Sequence, residues 1–482
     1  MVLGLLLIVL LLAGCSPEAA ITPPDAQESV ARFRESVETL AVSERYVGEE
    51  WTAATVRALE NPTTAVLPFV EDLTFDATAP RAMAFEFQAV RGHGITIRGD
   101  DAVLLELFHR PDGEDPGRQV SDPADDGELV AVADRLPGEG ALYYEPQEHG
   151  RYLLLVQARP LDNPDIRLSA TTEALLEWPV EGTGPEDVWS VFGDSRDAGR
   201  RVHHGIDIFA PRGTSIFAGS RSLVRRVGTR DRGGNIVTLY DEARGIFLYY
   251  AHLDEHRTER GLTVGPGDLI GTMGNTGNAV TTPPHLHIGI YDENWRRPLD
   301  PWYFFVPARR VERLPEVAVE DLNGWVRPRR DMPTVHAHPD FVGGIVPSPA
   351  RFDARGNPVD PSYRPPRLLA RGERVPVPLS AGDALRVQGT HGPFVRVELS
   401  GGRTGYVERS AVERAAVGIE ELSLGRETPV LMRPEESADL RGTLGENQIV
   451  SILAYAGDYG LIIYQGYAGW IPLGRTGLLP AG

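Results

Sequence analysis

Apolar and polar positions alternate with a period of two along most of this chain, and only one stretch carries a helical period. From Gln27 to about Leu59 the apolar residues Val30, Phe33, Val37, Leu40 and Ala41 fall three or four apart. Pro62 closes the run, so a helix that packs or spaces is expected there. Between about Ala65 and Trp178 short alternating runs take over, among them Phe85-Glu86-Phe87, Ile95-Thr96-Ile97, Val103 to Phe108, Tyr152 to Val156 and Ile166-Arg167-Leu168. Gly, Asp and Pro turns separate these runs, which predicts an N-terminal antiparallel β-sandwich over 63–182. Glu181-Gly182-Thr183-Gly184-Pro185 breaks the pattern, and a second, glycine-rich β segment follows over 183–307. Its strand signals are Gly205 to Ala210, Ser215 to Ala218, Leu223 to Val227, Asn235 to Tyr240, Phe247 to His252 and His285 to Tyr291. Residues 308–365, rich in Pro and Arg, read as an extended linker. Two small β units close the chain over 366–415 and 416–476. The fold class expected is mainly β.

The last two units share an order of strands. Gly402-Arg403-Thr404-Gly405-Tyr406-Val407 ends the first, and Gly466-Tyr467-Ala468-Gly469-Trp470-Ile471 ends the second, which suggests an internal duplication. Both resemble bacterial SH3-like domains. At the other end, the apolar run Val2 to Leu12 is too short to span a bilayer and has the shape of a signal-peptide core. Leu12-Ala13-Gly14-Cys15 resembles the bacterial lipobox, in which the cysteine carries the lipid. The resemblance implies a signal peptide over 1–15, a membrane anchor on Cys15 and, with Ser16 next, the periplasmic face of the outer membrane. Residues 16–62 then hold a Pro-rich tether and the helix.

Length and composition narrow the classes further. A chain of 482 residues, 41 % hydrophobic and 24 % charged, makes three or four folded units. Its formal charge of -20 leaves no basic stripe and excludes nucleic acid as a partner. All 48 fixed cations are arginine. Cys15 is the single cysteine, so no thiolate metal site or disulfide remains once it is lipidated.

The chemistry gathers between Arg201 and Tyr291. Histidine and aspartate are good zinc ligands, and three protein ligands leave a fourth position open. In an extended Gly205-Ile206-Asp207-Ile208-Phe209, Asp207 and Phe209 share one face while Ile206 and Ile208 point to the other. In Pro284-His285-Leu286-His287-Ile288, His285 and His287 likewise share a face. His252 ends the run Phe247 to His252 and is within reach of the same pocket. His203 lies four residues before Asp207, so a single metal site drawn from several strands is expected. His93, His109 and His149 have no partner at ligand spacing and are expected at the surface or in turns.

The order His-x-x-x-Asp, Tyr250-Ala251-His252-Leu253 and His285-Leu286-His287 resembles the lysostaphin-like (LytM-type) zinc metallopeptidases. Ala210-Pro211, Gly213-Thr214, Gly233-Gly234-Asn235, Gly265 to Gly271 and Gly274 to Gly277 support the likeness. It covers roughly residues 190–305. The resemblance implies one Zn2+ per chain on His203, Asp207 and His287, with His252 and His285 as the catalytic pair. His204 is set aside as a neighbour of the ligands, and His256 as a loop residue. The implied activity is a zinc endopeptidase acting on stem or cross-bridge peptides of peptidoglycan, on an antiparallel sheet with a groove. The alternative is a non-catalytic LytM-type regulator of a cell-wall amidase, a kind that typically lacks ligands.

Overall fold

The computed structural model describes residues 45–75, 82–110, 129–159, 164–196, 199–308, 324–332, 334–336, 348, 374–375, 377–399, 404–473 and 479–480. The run ending at Cys15, the tether, the first part of the expected helix and most of 308–365 lie outside them. The described chain is mainly β, built on antiparallel sheets. Among the described residues no helix is long and apolar enough to cross a membrane.

The helix Arg45–Glu60 lies on the sandwich rather than apart from it. Its buried residues Trp51, Ala54, Thr55 and Ala58 recur at helical spacing. The Trp51 indole N–H donates to the Ala158 carbonyl at 2.7 Å, and Gln157 both donates to the Trp51 carbonyl (2.7 Å) and accepts from Thr55 (2.8 Å). Beneath it, strands Ala82–Ala89, Gly150–Ala158 and Val103–Arg110 form the centre of a five-stranded sheet. Phe85, Phe87, Leu105, Leu107 and Leu154 from this sheet meet Ile95, Ile97 and Leu168 from the other to make the core.

That second sheet does not stop at the sandwich. Phe69–Thr74 pairs with Asp165–Ala174 on one side and with Leu385–His391 on the other, with Asp72 opposite Thr390 and Leu73 opposite Gly389. The N-terminal sandwich and the first C-terminal unit therefore share one eleven-stranded sheet. An exposed edge strand would invite pairing with another chain, and this edge is covered by the molecule's own distant strand. The expected linker also needs correcting. Trp325–Pro328 pairs with Leu385–His391 and with Val412–Arg414, and Val335–His336 pairs with Thr404–Glu408, so both strands belong to the first C-terminal unit. Each is short and ringed by Pro and Arg, and its local pattern carries no period to detect.

Between these units lies the segment of interest. Its sheet runs in the order Val188–Ser190, Ile206–Phe209, His285–Asp292, Ile246–Leu253, Gly234–Asp241, Ser222–Arg230, Thr263–Val264, with Pro298–Leu299 beside His285–Asp292. Strand alternation gives it a dry face and an open face. Ile206, Ile208, Leu248, Tyr250, Leu286, Ile288 and Ile290 are all fully buried, packed with Phe304 and Phe305 of the short helix Trp302–Phe305. At about 1.5–3 kcal/mol for each large side chain buried, a one-residue slip would expose this whole set, so the register is strongly fixed.

The N-terminal sandwich docks on the Trp302–Phe305 side. Val90 clusters with Trp302, Tyr303 and Val306. The His93 ring bridges the Thr172 hydroxyl (3.1 Å) and the Val306 carbonyl (3.1 Å), and Arg244 binds Glu145 through two bonds of 2.9 and 3.0 Å. His93 is thus 1 % exposed, not at the surface as expected, and burial drives its pKa down to about 4. His149 packs edge-on against Tyr303, and burial takes its pKa down to about 3. His149 stands in a bend, one of the two settings expected for it, whereas local sequence gives no sign of the seam that buries His93.

Candidate metal centre

The open face of the sheet carries Asp207, His285 and His287 by parity alone, with Asp207 opposite His287 and His287 opposite Ala251 in the register. His203 comes from the turn just before the strand. Gly205 lets the two strands close, because a Cβ there would sit 2.5 Å from the Ile288 carbonyl oxygen and 2.7 Å from His287 Cε1. The result is a triangle of donor atoms. His203 Nε2, Asp207 Oδ1 and His287 Nδ1 lie 2.9, 3.0 and 3.0 Å from one another.

The donor chemistry decides what such a triangle could hold. His203 Nδ1 faces the Val191 carbonyl at 2.9 Å, so that nitrogen carries the proton and Nε2 offers its lone pair. One proton on His287 Nδ1 cannot satisfy a carboxylate oxygen and a bare nitrogen together, whereas a divalent cation between the three satisfies all of them. A tetrahedral zinc about 2.0–2.1 Å from each donor separates its ligand atoms by about 3.4 Å. The triangle needs to open by about 0.4 Å to accept it, within side-chain reach. The donors fit a divalent metal, and among the described residues they are the one such group.

Electrostatics agree with a cation site. Burial pushes the Asp207 carboxyl upward, but the imidazoles of His203 and His287 set against its Oδ1 hold it well below the usual carboxylate range. Burial lowers His287, against the attraction of Asp207, so its ring is held neutral as a ligand must be.

Arg196 was not singled out by the sequence. It stands in the hairpin Ser195–Arg196/Arg201–Val202, and its Nη2 donates to Asp207 Oδ2 at 2.6 Å and to Ser190 Oγ at 2.6 Å. Ser190 Oγ in turn donates to Asp194 Oδ2 at 2.8 Å. The arginine fixes which oxygen of Asp207 faces the triangle. No spacing rule links a residue eleven positions upstream to a strand carboxylate, so only the folded hairpin reveals it.

His252 and His285 lie beside the triangle, with their ring centroids 5.0 Å apart and His252 6.1 Å from His287. His252 Nδ1 meets the Thr276 carbonyl at 2.8 Å and His285 Nδ1 meets the Pro283 carbonyl at 2.9 Å, so each ring keeps a bare Nε2. Burial, reinforced by His287 and offset by the Thr276 carbonyl, takes the His252 pKa down to about 4. His252 has φ 67, a left-handed conformation that costs a residue of this size on the order of 1 kcal/mol or more. The surrounding loops impose it. The His252 N–H donates to the Gly233 carbonyl at 2.7 Å, and Gly234, at φ 61, leaves room for Thr276, which a Cβ would strike. His285 stacks on Phe209, and Phe209 on Trp189. His204 stands aside against Phe192, and His256 pairs by its backbone with Gly271, away from the triangle.

Comparison with known proteins bears on this segment. Residues 201–301 match the family model described as Peptidase family M23. The L-Ala--D-Glu endopeptidase of Bacillus subtilis (strain 168) is 36 % identical over 115 residues, 22 % of this chain and 35 % of that protein. The peptidoglycan DD-endopeptidase ShyC of Vibrio cholerae serotype O1 is 34 % identical over 87 residues, 18 % of this chain and 19 % of that protein. The catalytic domain of the antimicrobial peptidase lysostaphin from Staphylococcus simulans aligns 24 % of this chain with 87 % of that chain, at 28 % identity and a TM-score of 0.22. The chain thus spans about a third or less of the curated relatives cited here. The donor triangle lies inside the segment that matches the peptidase family model.

Proposed function

We propose that this chain is a zinc-dependent endopeptidase that hydrolyses peptide bonds in the stem or cross-bridge peptides of peptidoglycan. One zinc per chain is held by His203, Asp207 and His287, and a lipid on Cys15 holds the protein in the bacterial envelope, at the periplasmic face of an outer membrane. The observation that carries this reading is the convergence of three donors within 3.0 Å beside two histidines whose Nδ1 atoms are tied to carbonyls. The names of the relatives support the choice of substrate.

Zinc bound there supplies a Lewis acid for the scissile carbonyl and the attacking water. The chain supplies the rest. His252, kept neutral by burial, accepts the water's proton at Nε2 and delivers it to the leaving amine, a task worth about 10²–10⁴-fold in rate. His285, taking a proton at Nε2 from solvent before the attack, donates to the developing oxyanion and returns that proton to solvent when the carbonyl re-forms. Phe209 beneath its ring holds it in plane. Arg196 keeps Asp207 Oδ1 aimed at the metal. The non-catalytic alternative is a kind that typically lacks ligands, and the presence of all three donors favours the catalytic reading over it.

Digestion of purified peptidoglycan with zinc-loaded protein tests the proposal. Soluble muropeptides are expected, their release stopping with chelator and returning with zinc. Release that survives chelation, or none from loaded protein, overturns it.

A further inference from the structure

The open face of the sheet carries a second feature, which peptide hydrolysis does not use. Four residues along the strand from His287 stands Tyr291, in the same parity. Its register partner is Phe247, and Gly289 lies opposite Tyr249 between the two rows. Phe247 in turn faces Tyr240. Trp295 folds back over this patch, stacked on Tyr291 (4.7 Å between centroids), tilted on Phe247 (4.9 Å) and edge-on to Tyr249 (6.3 Å). Tyr249 is edge-on to the His287 ring at 6.0 Å, so the aromatic surface is continuous with the metal centre. Gly289 leaves the floor between them flat.

The patch is presented, not buried. Trp295 is 43 % exposed and sits at φ 57, in a turn held by its own N–H to the Asp292 carbonyl and the Arg296 N–H to Asp292 Oδ1. A tryptophan in a left-handed turn on an open sheet face is the reverse of ordinary core packing. The hydroxyls of Tyr240, Tyr249 and Tyr291 make no hydrogen bond to the described residues. A wholly apolar occupant would strip those hydroxyls of water and give nothing back. A pyranose ring fits better. Its C–H face lies against aromatic rings while its hydroxyl and N-acyl groups pair with phenols.

We propose that this platform binds the sugar rings of a glycan strand, so that the protein grips its substrate by the polysaccharide as well as by the peptide. The proposal deepens the peptidase reading and rests on it for the identity of the polymer. It also carries a length. From His287 to Tyr291 is four residues of strand, about 13 Å at about 3.3–3.4 Å each. An extended peptide covers that span in about four residues. A peptide whose sugar sits on Trp295 therefore presents to the metal a bond about four residues out, toward the cross-link, rather than the bond next to the sugar.

The test uses full-length, zinc-loaded protein and a peptide-free probe, the hexamer of β-1,4-linked N-acetylglucosamine, followed by calorimetry and tryptophan fluorescence. Saturable binding is expected in the wild type, weakened at least about tenfold in Trp295→Ala and kept within about threefold in Trp295→Phe, which retains a ring. Trp189→Ala removes the other exposed tryptophan near the site (66 % exposed) and should leave binding unchanged. Zinc content and circular dichroism identify a variant that misfolds. No saturable binding by the wild type, binding that survives Trp295→Ala, or binding lost with Trp189→Ala overturns the assignment. The probe has no peptide bond of the substrate, so this failure is distinct from a failure to cleave peptidoglycan.

Discussion

His287 faces Asp207 at 3.0 Å on the open sheet, and His391 faces Glu71 at 3.1 Å where the N-terminal sandwich meets the first C-terminal unit. Both are buried histidine–carboxylate pairs with an arginine nearby. Around Glu71 Oε1 the polar atoms point at one another, while Oε2 is buried without a partner among the described residues. His391 Nδ1 also reaches the Val70 carbonyl at 2.9 Å, and the Tyr406 hydroxyl donates to Glu71 Oε1 at 2.7 Å. Arg396, fully buried, lies over the Phe85 ring at 4.4 Å and donates to Thr63 at 2.7 Å. Here Glu71 outweighs burial and raises the His391 pKa, so the ring carries a proton and donates. Around Asp207 burial wins for His287, and lone pairs converge on a point that no protein proton fills. The same residue types make a clamp in one place and a donor set that fits a metal in the other. Direction of the lone pairs decides.

The comparison breaks most sharply by exchanging outcomes. Asp207→Ala or His203→Ala should abolish stoichiometric zinc, measured by elemental analysis of the purified protein. Peptidoglycan release should fall by about 10³-fold or more, since a metal's share of several kcal/mol corresponds to that factor. Melting of the two flanking units should barely move. A variant with full zinc would remove that residue from the ligand set. Glu71→Ala should do the converse. It removes the carboxylate that raises the His391 pKa and leaves the buried Tyr406 hydroxyl without its acceptor, which costs about 1–3 kcal/mol, read as lost amide protection in Leu385–His391. Zinc content should be unchanged. Zinc loss in this variant, with the seam intact, would erase the distinction between the two clusters.

How much of this was readable beforehand follows from the range of each signal. Asp207, His285 and His287 are set on a common face by a period of two that any strand enforces, and Leu286 and Ile288 by the same rule on the other. The six expected strands of this segment all appear, shifted by up to three residues at their ends. The division of the histidines into ligands and a catalytic pair came from the family resemblance. Arg196, the left-handed turn at His252 and the fold-back of Trp295 came from neither, because each depends on loops whose course is set by distant packing. The pairing of Leu73 with Gly389 lies still further out of reach. It joins residues more than three hundred positions apart, and Gly389 looks like any strand glycine until the Asp72 carbonyl is seen against it.

Arg196 sharpens the comparison from inside the metal centre. Its guanidinium is partly exposed, unlike Arg396, and acts on the metal only through Asp207 Oδ2. Arg196→Gln keeps the ligands and frees the carboxylate to rotate. Zinc affinity should fall about 10–100-fold, the usual cost of losing a partner that orients a ligand, with folding intact. Competition against a fluorescent chelator gives the number. Unchanged affinity would make Arg196 a bystander.

The smallest effect is one of pH, and it separates the two histidines by sign. His391 has its folded pKa raised above the unfolded value of about 6.5, so its stabilisation is complete below that value and fades as pH rises through the folded pKa. The other groups facing it are Glu71, Asp72 and Tyr406, the last held neutral by burial and by Glu71, so no neighbour supplies an opposing charge change in this window. Amide exchange in Leu385–His391 should therefore accelerate from pH 6.5 upward beyond the intrinsic base dependence. Glu71→Gln, which removes the carboxylate that raises the pKa, should flatten the trend. At the metal centre the sign reverses. His287 is lowered and needs no proton, so alkaline solution leaves its ligand form intact while acid weakens zinc binding. If zinc affinity and seam protection instead fall together as pH rises, the two pairs answer to a common titration, and the distinction drawn from their lone pairs is wrong.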